Sequence, residues 1–263
     1  MDKLLDFTGK MLSLPVLASK HGADVDRLII FVHWLMGALF LGWILYFAYA
    51  LLRFNRKANP KADYVGIRGH ASNYIELIVA LIEGVLLVGF AIPLWARAVD
   101  NFPTPDEHPT NIRIIAQQFN WNVFYPGPDG EFGRRDISLV AADNPWGLDK
   151  SDPKGKDDFA PMLNDVFVPV GRPVVITLTS KDVIHSFKVI AMRVTQDAIP
   201  GLSIPLHFTP EKEGVYQINC AQLCGNGHAD MAGGRLHVVS QKEYDAWFAA
   251  KAKSAGSGAA SFE

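Results

Sequence analysis

The sequence contains few cysteines and no excess of positive charge. Only Cys220 and Cys224 occur among 263 residues, and the formal net charge is −2. Because the composition is not strongly basic, it gives no indication of binding to nucleic acid. A disulfide between cysteines four residues apart would close a very small loop, which stabilises a fold little. The two cysteines are therefore of more interest as candidate ligands, although an oxidising compartment leaves a disulfide open.

Charged side chains are absent from one long stretch and nearly absent from a second. Residues 28–52 contain no Asp, Glu, Lys or Arg, and residues 77–96 contain only Glu83. About 20 apolar residues in a helix cross the hydrocarbon core of a bilayer. Two buried helices of a soluble protein would need further helices to cover them, and the remaining sequence does not supply any. The pattern predicts a hairpin of two transmembrane helices, the first of which begins too late for a cleavable signal peptide.

The short loop between the two apolar stretches is basic. It contains one acid, Asp63, against Arg53, Arg56, Lys57, Lys61 and Arg68. Short basic loops stay on the cytoplasmic side, so both termini are predicted to face outward. We therefore divide the chain into an outward N-terminal segment (1–27), a transmembrane hairpin with its cytoplasmic loop (28–97), an outward domain (98–251) and a disordered tail (252–263).

After residue 97 the long apolar runs give way to short segments separated by Gly, Pro, Asn and Asp. Strands are predicted at Ile112–Gln118, Ile137–Ala142, Val174–Thr179, Phe187–Ile190, Val215–Asn219 and Leu236–Val239. Residues 242–252 have helical character, and residues 144–161 are expected to form a polar, proline-rich surface loop. Many short strands without helices between them favour an all-β sandwich or Greek-key barrel.

One segment of twelve residues, 220–231, carries two thiols, an imidazole and a thioether. These groups belong to Cys220, Cys224, His228 and Met231. Soft sulfur ligands together with imidazole select copper or zinc, and a thioether favours copper. Two thiolates can bridge two copper ions, which then require a second histidine, and His185 after the 174–179 strand is the best candidate. His207 and His237 are interpreted as ordinary core or surface residues.

These ligands resemble the pattern of cytochrome c oxidase subunit II, the copper A subunit of haem-copper oxidases. The family's Cys-x-x-x-Cys-x-x-x-His-x-x-Met is matched from Cys220 to Met231, and its upstream histidine is matched by His185 in DVIHSF. The resemblance covers roughly residues 20–250 and implies a cupredoxin-like domain. It also implies that both cysteines bridge a dinuclear copper centre and that each histidine binds one copper. Met231 and the main-chain carbonyl of Gln222 would be weak axial ligands.

The resemblance implies a function in respiratory electron transport. Such a subunit accepts electrons from a cytochrome c-type donor and passes them to haem in the catalytic subunit I, where oxygen is reduced. It implies an integral protein of a bacterial inner membrane, with the copper domain on the periplasmic side. A copper subunit of a nitric oxide reductase and a membrane-anchored copper-delivery protein are the alternatives, although the Met- or His-rich tracts of delivery proteins are absent. Quinol oxidase subunits keep the fold but lack these copper ligands.

Three departures from the family pattern bear on function. Gln222 replaces a glutamate that helps to bind magnesium at the border with subunit I, which puts that magnesium site in question. Phe119 replaces the first tryptophan of the family's Gln-Trp-Tyr-Trp run, the residue that takes up electrons. Phe119 and Trp121 are therefore the candidates for an altered electron uptake. No Cys-x-x-Cys-His occurs, so no covalently attached haem is expected.

Acidic residues support two further hypotheses. Glu76 matches the family acid at the cytoplasmic start of the second helix and is the candidate entrance of a proton path. Glu83, seven residues later on the same helix face, matches no family acid and is interpreted as a protonated, hydrogen-bonded residue.

Residues 100–165 contain twelve acids and six Lys or Arg residues, a surface that could steer a basic cytochrome or simply be solvated.

Overall fold

The structure is a computed structural model that describes residues 2–61, 64–66, 69–141, 144, 146–149, 151–160 and 163–256. Its contacts divide the chain into a helical unit, Met1–Leu14 with Asp24–Ala98, and a β-domain, Pro15–Ala23 with Val99–Glu263. Arg68 and Asp63 of the predicted basic loop, and residues 257–263 of the predicted tail, lie outside the described residues.

The helical unit contains two helical stretches that are long and apolar enough to cross a membrane, Gly22–Arg53 and Ala71–Asp100. Its elements are α1 (Asp2–Met11), α2 (Gly22–Arg53), α3 (Ala71–Val85), a π-helical segment (Leu86–Ala91) and α4 (Ile92–Asp100). Large apolar side chains along both stretches are exposed, which suits contact with lipid and not with a soluble core. The two predicted transmembrane helices are confirmed, whereas α1 was not predicted.

The β-domain consists of two sheets. Its strands are β1 (Thr110–Gln117), β2 (Asn120–Phe124), β3 (Asp165–Pro169), β4 (Val174–Ser180), β5 (His185–Val189), β6 (Val194–Ala198), β7 (Ile204–Phe208), β8 (Gly214–Cys220) and β9 (Gly234–Val239). One sheet has the order β2-β1-β4-β7 and the other β3-β9-β8-β5-β6. Neighbouring strands pair in antiparallel fashion except for β1 with β4 and β3 with β9.

The core of the β-domain lies between the two sheets. On β4, Val174, Ile176 and Leu178 are buried and alternate with residues of intermediate exposure. This period of two is the pattern from which the strand was predicted, because alternate side chains point to opposite faces of a sheet. Val166 and Val168 of β3 are buried in the same cluster. The predicted cupredoxin-like β-sandwich is confirmed.

One predicted strand is wrong. Ile137–Leu139 forms a short 3₁₀ turn, and Ala142 lies outside the described residues. The carboxylate of Asp136 accepts hydrogen bonds from the backbone N–H and the hydroxyl of Ser138, at 2.8 and 2.7 Å. Such local side-chain bonds offer the backbone an alternative to a strand ladder. The strand prediction rested only on the apolar side chains of this segment, and it therefore mistook a turn in the loop between β2 and β3 for a strand.

The C-terminal helix is longer than predicted. It extends over Gln241–Gly256 as α5, beyond the predicted 242–252 and into the expected disordered tail, 252–263. Ser240 and Glu243 form a capping box, in which Ser240 N–H donates to Glu243 Oε2 at 3.1 Å and Glu243 N–H donates to Ser240 Oγ at 3.3 Å. This cap fixes where the helix begins.

Residues 15–23 pack onto the β-domain. The Arg193 guanidinium donates to the carbonyl of Pro15 at 2.7 Å and to that of Val16 at 3.2 Å. The hydroxyl of Ser19 donates to the carbonyl of Met192 at 2.7 Å. From the sequence these residues are predicted to belong to a single N-terminal segment, 1–27, whereas the contacts assign 15–23 to the β-domain.

Candidate metal centre

Strand pairing brings the two halves of the predicted ligand set together. His185 is the first residue of β5, and Cys220 is the last residue of β8. These strands are antiparallel neighbours, with Phe187 opposite Cys220. Because side chains two residues apart on a strand share a face, His185 and the end of β8 meet at one end of the sheet. Cys224 and the remaining predicted ligands lie in the loop that follows β8.

The two cysteine sulfurs form the middle of a compact cluster. Their Sγ atoms are 4.0 Å apart, and neither cysteine is in a disulfide. The ligand atoms of His185, Cys220 and Cys224 all lie within 4.8 Å of one another. Such a group of two thiols and one imidazole could hold a metal ion.

The other three predicted ligands surround the sulfurs. Cys224 Sγ lies 3.4 Å from His228 Nδ1 and 3.4 Å from Met231 Sδ. Met231 Sδ is also 3.1 Å from His185 Nδ1. The main-chain carbonyl oxygen of Gln222 accepts from Cys220 Sγ at 3.1 Å, while the Gln222 side chain is exposed. All six residues predicted to bind metal are therefore neighbours in the structure.

One half of the cluster is shielded from water, whereas Cys220 and His228 are of intermediate exposure and Gln222 is exposed. His185 and Met231 are fully buried, and Cys224 is 4% exposed. Burial, and secondarily the neighbouring Cys220, raise the pKa of the Cys224 thiol to about 11. Without a cation this thiol is neutral, so metal binding would have to displace its proton.

A second layer of hydrogen bonds, which the sequence analysis missed, orients His185. Its Nε2–H donates to Asp182 Oδ1 at 2.9 Å, and the other carboxylate oxygen accepts from Gln118 N–H at 2.8 Å. Burial by itself raises the pKa of Asp182, but the hydrogen bonds from Gln118, His185 and Val183 outweigh burial and leave the pKa below its ordinary value. The only available signal was the spacing of Asp182, three residues before a candidate ligand.

Trp121 supports the cluster from inside the sandwich. It is fully buried, and its indole N–H donates to the main-chain carbonyl of Met231 at 3.1 Å. Its ring meets Phe187 edge-on at 5.4 Å between centroids, and His185 at 6.3 Å. Because Trp121 has no exposed surface, a donor protein on the outside could not contact it directly. Its role in electron uptake stays a prediction.

Phe119 covers the ligand loop from the solvent side. A Cβ placed on Gly225 would lie 3.0 Å from Phe119 Cζ, and one on Gly227 would collide with the same ring. Gly225 also has φ +139°, a conformation that favours glycine. Gln118 Nε2–H donates to the carbonyl of Cys224 at 2.6 Å. This bond holds the turn between β1 and β2 against the ligand loop that follows β8. Phe119 is thus the half-buried aromatic residue between solvent and the cluster, and its predicted role stays a prediction.

The structure places the other predicted residues away from the cluster. Glu76 and Glu83 are exposed on α3 of the helical unit. His237 Nε2 lies 2.6 Å from Asp165 Oδ1, and its ring stacks on Phe167 at 4.2 Å. His207 contacts the ring of Phe102 at 4.5 Å between centroids. Neither histidine joins the candidate ligands, and the proton-path role of Glu76 is not tested by this arrangement.

The donor set fits copper on chemical grounds. Two thiols, two imidazole nitrogens, a thioether and a carbonyl oxygen converge in a partly buried site. Thiolate and imidazole are the ligands of copper in electron-transfer sites, where a thioether or a backbone oxygen serves as the weak axial ligand. Structural zinc would want four strong ligands, and a thioether is a poor one.

Comparison with solved structures and known sequences gives similar proteins from bacteria. The crystal structure of the periplasmic domain of subunit II of cytochrome oxidase from Bradyrhizobium japonicum matches 55% of this chain and 94% of its own, at 28% identity and a TM-score of 0.40. The cytochrome c oxidase subunit 2 of Cereibacter sphaeroides is 29% identical over 237 residues, which cover 82% of this chain and 74% of that protein.

Two further matches concern the family to which the chain belongs. The family model described as "Cytochrome C oxidase subunit II, periplasmic domain" matches residues 112–234, a range that includes every predicted ligand. The alternative cytochrome c oxidase subunit 2 of Bradyrhizobium diazoefficiens is 31% identical over 226 residues, which cover 85% of this chain and 78% of that protein. Since that similarity extends over most of both chains, this chain belongs to the cytochrome c oxidase subunit II family.

Proposed function

We propose that this chain accepts electrons from a cytochrome c-type donor at the cysteine–histidine cluster and passes them to haem in a catalytic partner subunit. The single observation that carries this proposal is the convergence of six soft or weak donor groups at one end of a rigid sandwich. Oxygen reduction would take place in the partner, as membership of the subunit II family implies.

The residues that would hold two copper ions are the six that converge. Cys220, Cys224, His185 and His228 would be the strong ligands, and Met231 and the main-chain carbonyl of Gln222 would be the weak ones. When bound, such a copper pair supplies one-electron redox chemistry shared between two metals. The side chain of Gln222 carries no charge, so we propose no magnesium ligand at this position.

The protein's contribution is to restrict the movement of these ligands and to limit their contact with water. Asp182 keeps the proton of His185 on Nε2, which leaves the Nδ1 lone pair facing the sulfurs. Trp121 fixes the backbone at Met231 and, with Phe187, fills the space beneath the cluster. Ligands that cannot move do not have to reorganise when the electron count changes, and their burial sets the local dielectric.

We propose that the chain is anchored in a bacterial inner membrane with the β-domain in the periplasm. The two membrane-spanning helices and the match to a periplasmic family domain support this placement. Its partners would be the catalytic subunit I, the other oxidase subunits and a cytochrome c-type donor. The surplus of acids in residues 100–165 gives the β-domain the charge that attracts a basic donor.

The test is metal analysis of the purified full chain, together with its electron paramagnetic resonance spectrum. We expect two copper ions per chain and one unpaired electron shared over both nuclei. His185→Gln and His228→Gln should each destroy the shared signal, whereas His237→Gln, a histidine outside the cluster, should preserve it. One isolated copper, bound zinc, or a disulfide without metal would refute the proposal.

A further inference from the structure

A cavity of about 270 Å³ lies inside the helical unit, between the start of α2 and the second membrane-spanning stretch. Its α2 wall includes Arg27 and Phe31, and its opposite wall includes Phe90, Leu94 and Arg97. The cavity is polar at one end and apolar at the other. Neither the copper cluster nor the proposed electron path uses any of these residues.

The polar end carries one positive charge without a described ion-pair partner. Arg27 Nη1 donates to Asp24 Oδ1 at 3.0 Å, so these two charges compensate each other. Arg97 lines the same cavity, is exposed, and forms no ion pair among the described residues. Arg27 immediately precedes the charge-free residues 28–52, and Arg97 immediately follows the apolar residues 77–96. Both arginines therefore lie at the depth of the lipid headgroups on one membrane face.

The apolar end of the cavity lies beside a π-helical segment in the second membrane-spanning stretch. Residues Leu86–Ala91 are π-helical, and the N–H of Ile92 donates to the carbonyl of Leu87, five residues earlier. Phe90, within this wider turn, meets Phe31 edge-on with 5.9 Å between ring centroids. A π-helical turn in an α-helix is rare and is frequent at functional sites. Here it presents an aromatic surface directly below the arginines.

We propose that this cavity binds the headgroup end of one anionic phospholipid, with the phosphodiester at Arg27 and Arg97 and the first acyl methylenes on Phe31 and Phe90. An anionic lipid is the complementary ligand because the cavity carries a net positive charge and opens at headgroup depth. A neighbouring apolar helix would instead bury Arg97 without a counter-charge, which is unfavourable. The proposal depends on membrane insertion and is independent of the copper chemistry.

The test is native mass spectrometry of the full chain released from nanodiscs that contain equal amounts of phosphatidylglycerol and phosphatidylcholine. We expect one phosphatidylglycerol to remain bound. Arg97→Gln should lower its retention at least tenfold, and Arg27→Gln should also lower it, because it removes a phosphate ligand and leaves the Asp24 carboxylate uncompensated in the cavity. The matched control is Arg53→Gln at the other end of α2, which does not line the cavity. The copper spectrum of each variant shows that the β-domain is intact.

Three results would overturn the lipid proposal. The first is equal retention of phosphatidylglycerol and phosphatidylcholine, which would mean general contact with the bilayer. The second is displacement of the bound lipid by inorganic phosphate alone, which would indicate a free-anion site. The third is loss of the lipid when the partner subunits are present, because a protein helix would then occupy the cavity. Copper binding is expected to be normal in all three cases, so failure here leaves the electron-transfer proposal intact.

Discussion

His185 has two ring nitrogens with different partners, and this difference determines how the residue can act. Nε2 faces a carboxylate that only accepts hydrogen bonds, and Nδ1 lies 3.1 Å from the Met231 sulfur. The proton therefore resides on Nε2, and the Nδ1 lone pair faces the cluster. Asp182 is in turn held by backbone N–H groups of Gln118 and Val183. Asp182 is thus a positioning residue for a proposed ligand.

Replacing Asp182 should weaken copper binding without removing a ligand. Asp182→Ala deletes the acceptor of the His185 proton, and such losses beside a metal ligand typically lower affinity by about 10- to 100-fold. Asp182→Asn keeps an acceptor oxygen and should restore part of the affinity. Competition with a copper chelator measures both variants, and the exposed Asp106→Asn provides the control. Equal affinities for Asp182→Ala and the parent would show that His185 does not need this carboxylate.

Phe119 is the residue at which we expect electron uptake to be sensitive to side-chain size. Phe119→Ala removes the aromatic cover of the ligand loop and should lower the second-order rate of reduction by a cytochrome c roughly tenfold, as expected for about 1.4 kcal/mol of lost interaction. Phe119→Trp should restore or exceed the parent rate. Stopped-flow reduction of the copper-loaded chain measures this rate. An unchanged rate for Phe119→Ala would mean that the residue takes no part in the relay.

The ligands could be predicted from the sequence, but their supports could not. Five of the six proposed ligands fall within residues 220–231, and His185 lies in a segment with a family pattern, so residue type and spacing were sufficient. The hydrogen bond from Gln118 to Asp182 spans 64 residues, and the one from Gln118 to Cys224 spans 106. No local pattern encodes such contacts, because they form only when β1 and the ligand loop meet in the folded domain.

At the scale of elements, the segment between β2 and β3 contains partly buried charges that hydrophobic patterning did not reveal. The Arg135 guanidinium lies 4.1 Å above the ring of Phe124, and burial lowers its pKa to about 10. Asp158 Oδ2 accepts from the N–H of Gly133 at 3.0 Å, while its other oxygen is buried without a hydrogen-bond partner. Burial raises the pKa of Asp158 from 3.8 to about 6, and the hydrogen bond from Gly133 and the nearby arginines only partly offset this effect.

The raised pKa of Asp158 makes the stability of the β-domain depend on pH. Between its unfolded value near 3.8 and its folded value near 6, the folded state binds more protons than the unfolded state. The stabilisation is therefore complete below about pH 4 and is lost as the pH rises through about 6. Asp158→Asn should keep the bond from Gly133 and remove this part of the pH dependence. Thermal unfolding at pH 4 to 7 tests the difference between variant and parent.

The exposed Asp129→Asn is the control for this experiment and should follow the pH profile of the parent. Parallel profiles for Asp158→Asn and the parent would show that Asp158 does not titrate differently in the folded and unfolded states. A lower stability of Asp158→Asn at pH 7 would also contradict the expectation, because it would mean that the charged pairing with the arginines outweighs burial.

Of the strands that were predicted, β1, β4 and β8 have seven or eight residues, β9 has six and β5 has five, and β4 alternates between buried and partly exposed residues over its full length. The four missed strands, β2, β3, β6 and β7, have only five residues each. Several of these short strands interrupt the alternation with polar residues, as in the sequence VTQDA of β6. A strand of this length owes its conformation to the neighbours with which it pairs, and that information is absent from a single short window.

At the scale of the whole molecule, the two membrane-spanning helices predict a defined topology. The residues after Arg53 should be cytoplasmic, and the residues after Asp100 should lie outside. Alkaline phosphatase is active only in an oxidising compartment, so a fusion after residue 60 should be inactive and a fusion after residue 105 active. Comparable expression of the two fusions is the control. The opposite pattern would invert the topology and would place the copper cluster in the cytoplasm.

The contacts of residues 15–23 have a consequence for biosynthesis. Ser19 bonds to Met192, a residue 173 positions later in the chain. Translation proceeds at about 5–20 residues per second, so some 10–35 s separate the synthesis of these two partners. During that interval residues 15–23 lack the Met192 carbonyl to which Ser19 donates in the folded protein. The contacts of residues 15–23 can therefore form only after residue 192 has been synthesised, which makes this packing a late event in the biosynthesis of the chain.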